Sequence, residues 1–181
     1  VDSATVLLLA SLTGGNAPVA CSADPTSYNP GNVTTATAFT KFWTMLPGTP
    51  SAGTVYMIST EFTGTWQGNA LAFAVDVAGT WTSMAPSVGT GAFSSGATIA
   101  GWLVLTVRVL SATTARFALA GAIGETASSV TPGSGSVPLA PLSQTLTVAA
   151  ADNIALGYLF GASSSGQGLA TYGSTFLTIT P

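Results

Sequence analysis

Apolar and polar residues alternate with a period of two along much of this chain, which is the pattern of strands with one buried face. The clearest case is residues 101–123. Leu103, Leu105, Val107 and Val109 share one face of its first arm, and Phe117 and Leu119 share one face of its second. Both sets reach a common core only if odd-numbered residues meet odd-numbered ones. A three-residue loop at 111–113 does this, setting Val107 opposite Phe117 and Leu105 opposite Leu119, whereas a two-residue loop would set Val107 opposite Arg116. The same register puts Arg108 opposite Arg116 on the outer face. Directly opposed like charges are unfavourable, so an acidic group is expected against them: Glu61, Asp76, Glu125 or a neighbouring subunit.

Residues 54–62 and 70–77 also alternate, and they predict an antiparallel hairpin with a broad tip at 63–69. Glu61 and Asp76 then lie on its outer, polar face. Residues 4–12 predict a short buried strand. Residues 36–46, with Phe39, Phe42 and Trp43, predict another that Pro47 and Gly48 end. Further strands are predicted at 143–149, 154–160 and 169–180. Stretches 13–35, 83–100, 124–142 and 161–168 are rich in turn formers and predict long loops. No segment carries a capped helical period. The expected architecture is a single all-β domain over residues 1–181: an antiparallel β-sandwich, jelly-roll-like, with eight or nine strands and long loops.

Composition narrows the function. Only 5% of residues are charged, against about 25% in ordinary soluble domains. The polar surface must therefore be hydroxyls, amides and backbone, and such a chain is expected to live in an assembly or be carried by something attached to it. Lys41, Arg108 and Arg116 are the only basic residues. That is too few to neutralise a row of phosphates or to dock on an anionic membrane, so no nucleic-acid partner is expected. No run reaches the ~18 apolar residues of a membrane helix, so no membrane insertion is expected. Cys21 is the single cysteine; it permits no internal disulfide and reads as a small buried apolar residue.

The absence of histidine removes Ser-His-Asp and Cys-His chemistry and the usual zinc sites, and no nucleophile-elbow or phosphate-loop motif is present. No enzyme activity, cofactor or metal is expected. Glu61 with Asp76 is the nearest approach to a glycosidase carboxylate pair, and the two read as solvated outer-face groups. Asn32-Val33-Thr34 is a glycosylation sequon, meaningful only in a secretory pathway. Trp66, beside Gln67 and Asn69 in the predicted tip, is the candidate glycan- or receptor-binding group: a flat ring with amide neighbours suits a sugar face. The competing reading folds Trp66 back over the open end of the sandwich. Trp102, Arg108 and Arg116 form a candidate assembly surface. Trp43 and Trp81 read as core or interface residues, and Tyr158 and Tyr172 as sandwich aromatics.

Short strands, long Pro/Gly/Ser/Thr loops and scarce charge over the whole chain resemble jelly-roll modules of non-enveloped virus capsids. In texture the chain is similar to the protruding domain of nodavirus-like or sinaivirus-like coat proteins. The resemblance implies a non-enzymatic structural domain on the virion surface, outside the cell, that self-associates or contacts other capsid subunits and meets a host receptor or glycan. A complete coat protein would be expected to bring a basic RNA-binding arm; its absence fits an outer projection or a processed fragment. A carbohydrate-binding module, or a phage tail-fibre or decoration domain, is the alternative.

Overall fold

The structure, a computed structural model, describes residues 19–45, 51–84, 87–126 and 137–181. The strand expected at 4–12 lies outside them. The described elements are β1 (Val19–Asp24), β2 (Thr37–Ala38), β3 (Trp43–Thr44), β4 (Val55–Thr65), β5 (Leu71–Val77), β6 (Thr80–Ser83), β7 (Thr98–Ser111), β8 (Thr114–Glu125), β9 (Val137–Thr147), β10 (Asn153–Phe160) and β11 (Gly168–Ile179).

They form two antiparallel sheets. The first has the order β1-β11-β4-β7-β8-β9; the second has β2-β10-β5-β6, with β3 also on β10. If β2 and β3 are taken as one interrupted strand and β8–β9 as an insertion, the chain crosses between sheets at every connection but β5–β6, in the path of a jelly roll. The β8–β9 pair widens the first sheet beyond β7.

Side-chain alternation builds the core. Tyr56, Ile58 and Phe62 of β4 and Leu103, Leu105 and Val107 of β7 are buried from one side; Leu71, Phe73 and Val75 of β5 and Ile154, Leu156 and Tyr158 of β10 are buried from the other. Phe62 and Phe73 meet across the sheets with ring centroids 5.6 Å apart. Phe39, in the linker between β2 and β3, packs edge-on to Tyr158 at 5.4 Å.

The β7–β8 register is the expected one: Val107 faces Phe117, Leu105 faces Leu119, and Arg108 faces Arg116. Other expectations are corrected. β4 and β5 are not a hairpin, because they lie in different sheets and residues 66–70 cross between them. Asp76 is buried rather than solvated: its Oδ1 accepts a hydrogen bond from the Gly79 amide at 2.8 Å. That bond braces the tight β5–β6 turn, where Ala78 and Gly79 both have positive φ. The loop expected at 13–35 contains β1, and the loop expected at 124–142 gives way to β9 from Val137. Cys21 is exposed, not buried, because among the described residues β1 pairs only with β11.

Tyr158 ties the end of the sandwich together. Its hydroxyl lies 2.6 Å from the Gly31 carbonyl and 3.1 Å from the Leu169 carbonyl, and it accepts from the Leu169 amide at 3.0 Å. Burial pushes this phenol above its ordinary value of 10.0, partly offset by the Leu169 backbone hydrogen bond. A pKa raised by folding contributes stability that is fully present below the unfolded value and is lost as pH rises through the folded one. Tyr158→Phe should therefore lower stability by about 1–2 kcal/mol at neutral pH. Denaturant titrations of both proteins should show the gap narrowing above about pH 10.

Candidate functional site: the outer face of the six-stranded sheet

The outward residues of the six-stranded sheet fall into cross-strand rows. One row runs Leu177, Met57, Thr106, Ala118, Ser143. The next runs Thr175, Ser59, Val104, Ala120. At one end of the face Ile179, Val55, Arg108, Arg116 and Thr145 line up. Towards the other end a row runs Glu61, Trp102, Ala122 and Pro138. Solvated faces of antiparallel sheets are ordinarily polar. Here they are mostly Ala, Val, Leu, Met and Thr, with Trp102 and Leu110 each 47% exposed.

The two arginines are opposed as expected, but the described residues do not supply the counter-charge. Arg116 Nη2 donates to Ser143 Oγ at 2.8 Å, and among the described residues neither arginine has an ion-pair partner. Glu61 sits six positions along β4 from Val55, the residue beside Arg108, a separation of about 20 Å. Asp76 is in the other sheet, and Glu125 is opposite Ile99 at the far end of β7, where its Oε2 accepts from the Ser94 amide at 3.4 Å.

Tyr172 is the residue that sequence reasoning missed. It is 67% exposed, not a sandwich aromatic, because β11 slips register between Thr171 and Ser174. Thr171 pairs with Phe62 and Ser174 with Thr60, so the bulge lies beside Glu61. Gly173, at φ +117°, was the available signal: a lone glycine inside a strand pattern marks a bulge. A cleft of about 290 Å³ opens there, lined by Asp24, Ser59, Glu61, Tyr172 and Ser174 among others. Asp24 accepts from the Thr26 amide at 3.0 Å and the Tyr28 hydroxyl at 2.9 Å. The hydrogen bonds from Thr26 hold its carboxyl below the usual carboxylate range, so near neutral pH it is an acceptor and not a proton donor. The Ser174 hydroxyl is enclosed and has no hydrogen-bond partner.

The tip group comes apart as a binding site. Trp66 is 0% exposed, edge-on to Phe93 at 5.5 Å, with its amide bonded to the Ala97 carbonyl. A ring so enclosed cannot stack on a sugar; it closes the end of the core. Gln67 and Asn69 are half-buried and engaged. Gln67 Oε1 accepts from Ser95 Oγ at 3.2 Å, and Asn69 Nδ2 donates to Ser164 Oγ and Gln167 Oε1 at 2.8 and 3.0 Å. Gln167 Nε2 in turn donates to Asn32 Oδ1 and the Ala162 carbonyl. Asn32 Nδ2, the atom a sequon would glycosylate, donates to Ser163 Oγ and the Ser164 carbonyl.

Residues 38–105 match a protein family described as "Protein of unknown function (DUF2793)". None of the curated proteins matches the chain. Among the solved structures that resemble it weakly are a lectin, a phage module and a virus. A peanut lectin with a 9mer peptide is 7% identical with a TM-score of 0.36, over 89% of this chain and 97% of that one. The CBM2 module of the evolved Dit of Lactobacillus casei BL23 phage J-1 is 11% identical with a TM-score of 0.32, over 85% of this chain and 76% of the module. A structure of infectious bursal disease virus, Gx strain, is 12% identical with a TM-score of 0.31, over 92% of this chain and 42% of the viral chain.

The amide network predicts a structural role for the tip. Gln167→Ala removes a buried bridge and leaves the half-buried Asn69 amide short of a partner, and should lower stability by about 1–3 kcal/mol. Thermal and denaturant unfolding would measure this, and the outer face of the six-stranded sheet should be unaffected.

Proposed function

We propose that this chain is a non-enzymatic structural domain on the surface of a viral particle, projecting from the capsid, where it contacts copies of itself or other capsid subunits and presents its loops to the host. The observation that carries this reading is the outer face of the six-stranded sheet. A sheet face that sets Ala, Val, Leu and Met beside exposed Trp102 and Leu110 is what an association surface offers and what an isolated soluble domain avoids. The jelly-roll strand path supports it, since that architecture serves capsid domains among others. The scarcity of charge supports it as well, because few charges leave little repulsion between neighbouring copies. Antibodies raised against the folded chain should label intact particles purified from the source. Labelling only of disrupted particles, or of none, overturns the reading.

A carbohydrate-binding role, in a module or a phage tail-fibre or decoration domain, is the second reading. Exposed Tyr172 beside Glu61 and the cleft favours it, since an aromatic face next to hydrogen-bond acceptors suits a sugar ring. This places recognition at the β11 bulge and not at Trp66. A glycan array should then give hits that Tyr172→Ala abolishes without loss of fold, and a blank array removes this reading.

A further inference from the structure

We infer that the outer face of the six-stranded sheet packs against the same face of a second copy of this chain, about a two-fold axis that runs across the strands between the Val104 and Thr106 rows. This rests on the reading of that face as an assembly surface, and it adds the partner, the symmetry and the contacts.

Charge decides the geometry. Arg108 and Arg116 occupy one end of the face and Glu61 and Trp102 the other, three positions either side of Leu105 along β7. Two sheets can meet face to face about an in-plane two-fold axis along the strands or across them. An axis along the strands keeps each row over its own counterpart, so it stacks the arginine row on the arginine row; like-charge contact of that kind opposes association. An axis across the strands inverts the order of rows while each strand stays over its own copy. Arg108 of one copy then lies over Trp102 of the other, one strand away from Glu61. A guanidinium stacks on an indole face and pairs with a carboxylate, so both needs are met at one point. The two-fold repeats the contact at the other end of the face.

The middle of the face fits the same axis. It sets Val104 over Thr106, Met57 over Ser59 and Ala118 over Ala120. None of these pairs sets two large side chains against each other, which suits sheets packed about 10 Å apart. Six strands, with β4 eleven residues long, give a face of roughly 30 by 35 Å, about 1,000 Å² per copy. A standard stable interface buries about 800 Å² per partner. The arrangement also accounts for the opposed arginines, whose counter-charge the described residues of one chain do not supply.

The test is a charge exchange between copies. The unmodified chain should sediment as a dimer over a concentration series, weakening as salt is raised. Arg108→Glu alone sets carboxylate against carboxylate at both ends, and Glu61→Arg alone sets guanidinium against guanidinium. Each should weaken dimerisation at least about tenfold. Mixed one to one, the two variants restore an opposite-charge pair at both ends and should recover a mixed dimer, which also shows that both are folded. Overturning results are an unmodified chain that stays monomeric, variants that dimerise as well as the unmodified chain, or a mixture that does not recover. A monomer whose Trp102→Ala variant loses binding on the glycan array assigns the row to a sugar instead. Surface labelling of particles by antibody would survive any of these, so this inference can fail without the proposed function failing.

Discussion

β7 is hydrogen-bonded on both sides, to β4 and to β8, so each residue it sends inward obliges its neighbour to point outward. Leu103, Leu105, Val107 and Val109 fill the core from this strand. Trp102, Val104, Thr106 and Arg108 are the outward residues that follow. A slip of one position would exchange the two sets and bury an arginine, so the register carries the core and the surface together. The unusual feature is that the outward set carries Trp102 and Val104, where a solvated face is ordinarily polar.

Scarcity of charge shifts the work of joining loops to neutral polar groups. Gln167 is buried and bridges Asn69, Asn32 and the Ala162 carbonyl. Tyr158 joins the chain at Gly31 to β11 at Leu169. Asp76 braces a turn rather than forming a salt bridge. The Gln167 and Tyr158 bonds hold the loops at one end of the sandwich against strands distant in sequence, and being neutral they respond little to salt.

The legible parts of the sequence were those governed by local periodicity. The β7–β8 register followed from the positions of Phe117 and Leu119, and the closing strand β11 from its alternation. Partition between sheets was not legible: β4 and β5 read as a hairpin because both alternate, and nothing in either segment states that the five residues between them cross to the other layer. The candidate site was half legible. Trp102, Arg108 and Arg116 share one sheet face, as expected, but Trp66 is interior and Tyr172 is on the surface. A tryptophan at a loop tip has no local pattern that separates a lid from a platform, and one bulge at Gly173 reverses the side on which Tyr172 falls.

The sequence by itself determined an all-β antiparallel sandwich, the pairing of its longest hairpin and the opposition of two arginines, because period-two alternation and loop parity act between residues close along the chain. Tertiary structure alone decided which strands share a sheet, that Glu61 and Trp102 stand in one row about 20 Å from those arginines, and that Asp76 and Trp66 belong to the interior. Those outcomes depend on contacts between residues far apart in sequence, for which a single alternating pattern is compatible with many partners. Only the folded sheet brings its acidic-aromatic end and its basic end onto one surface.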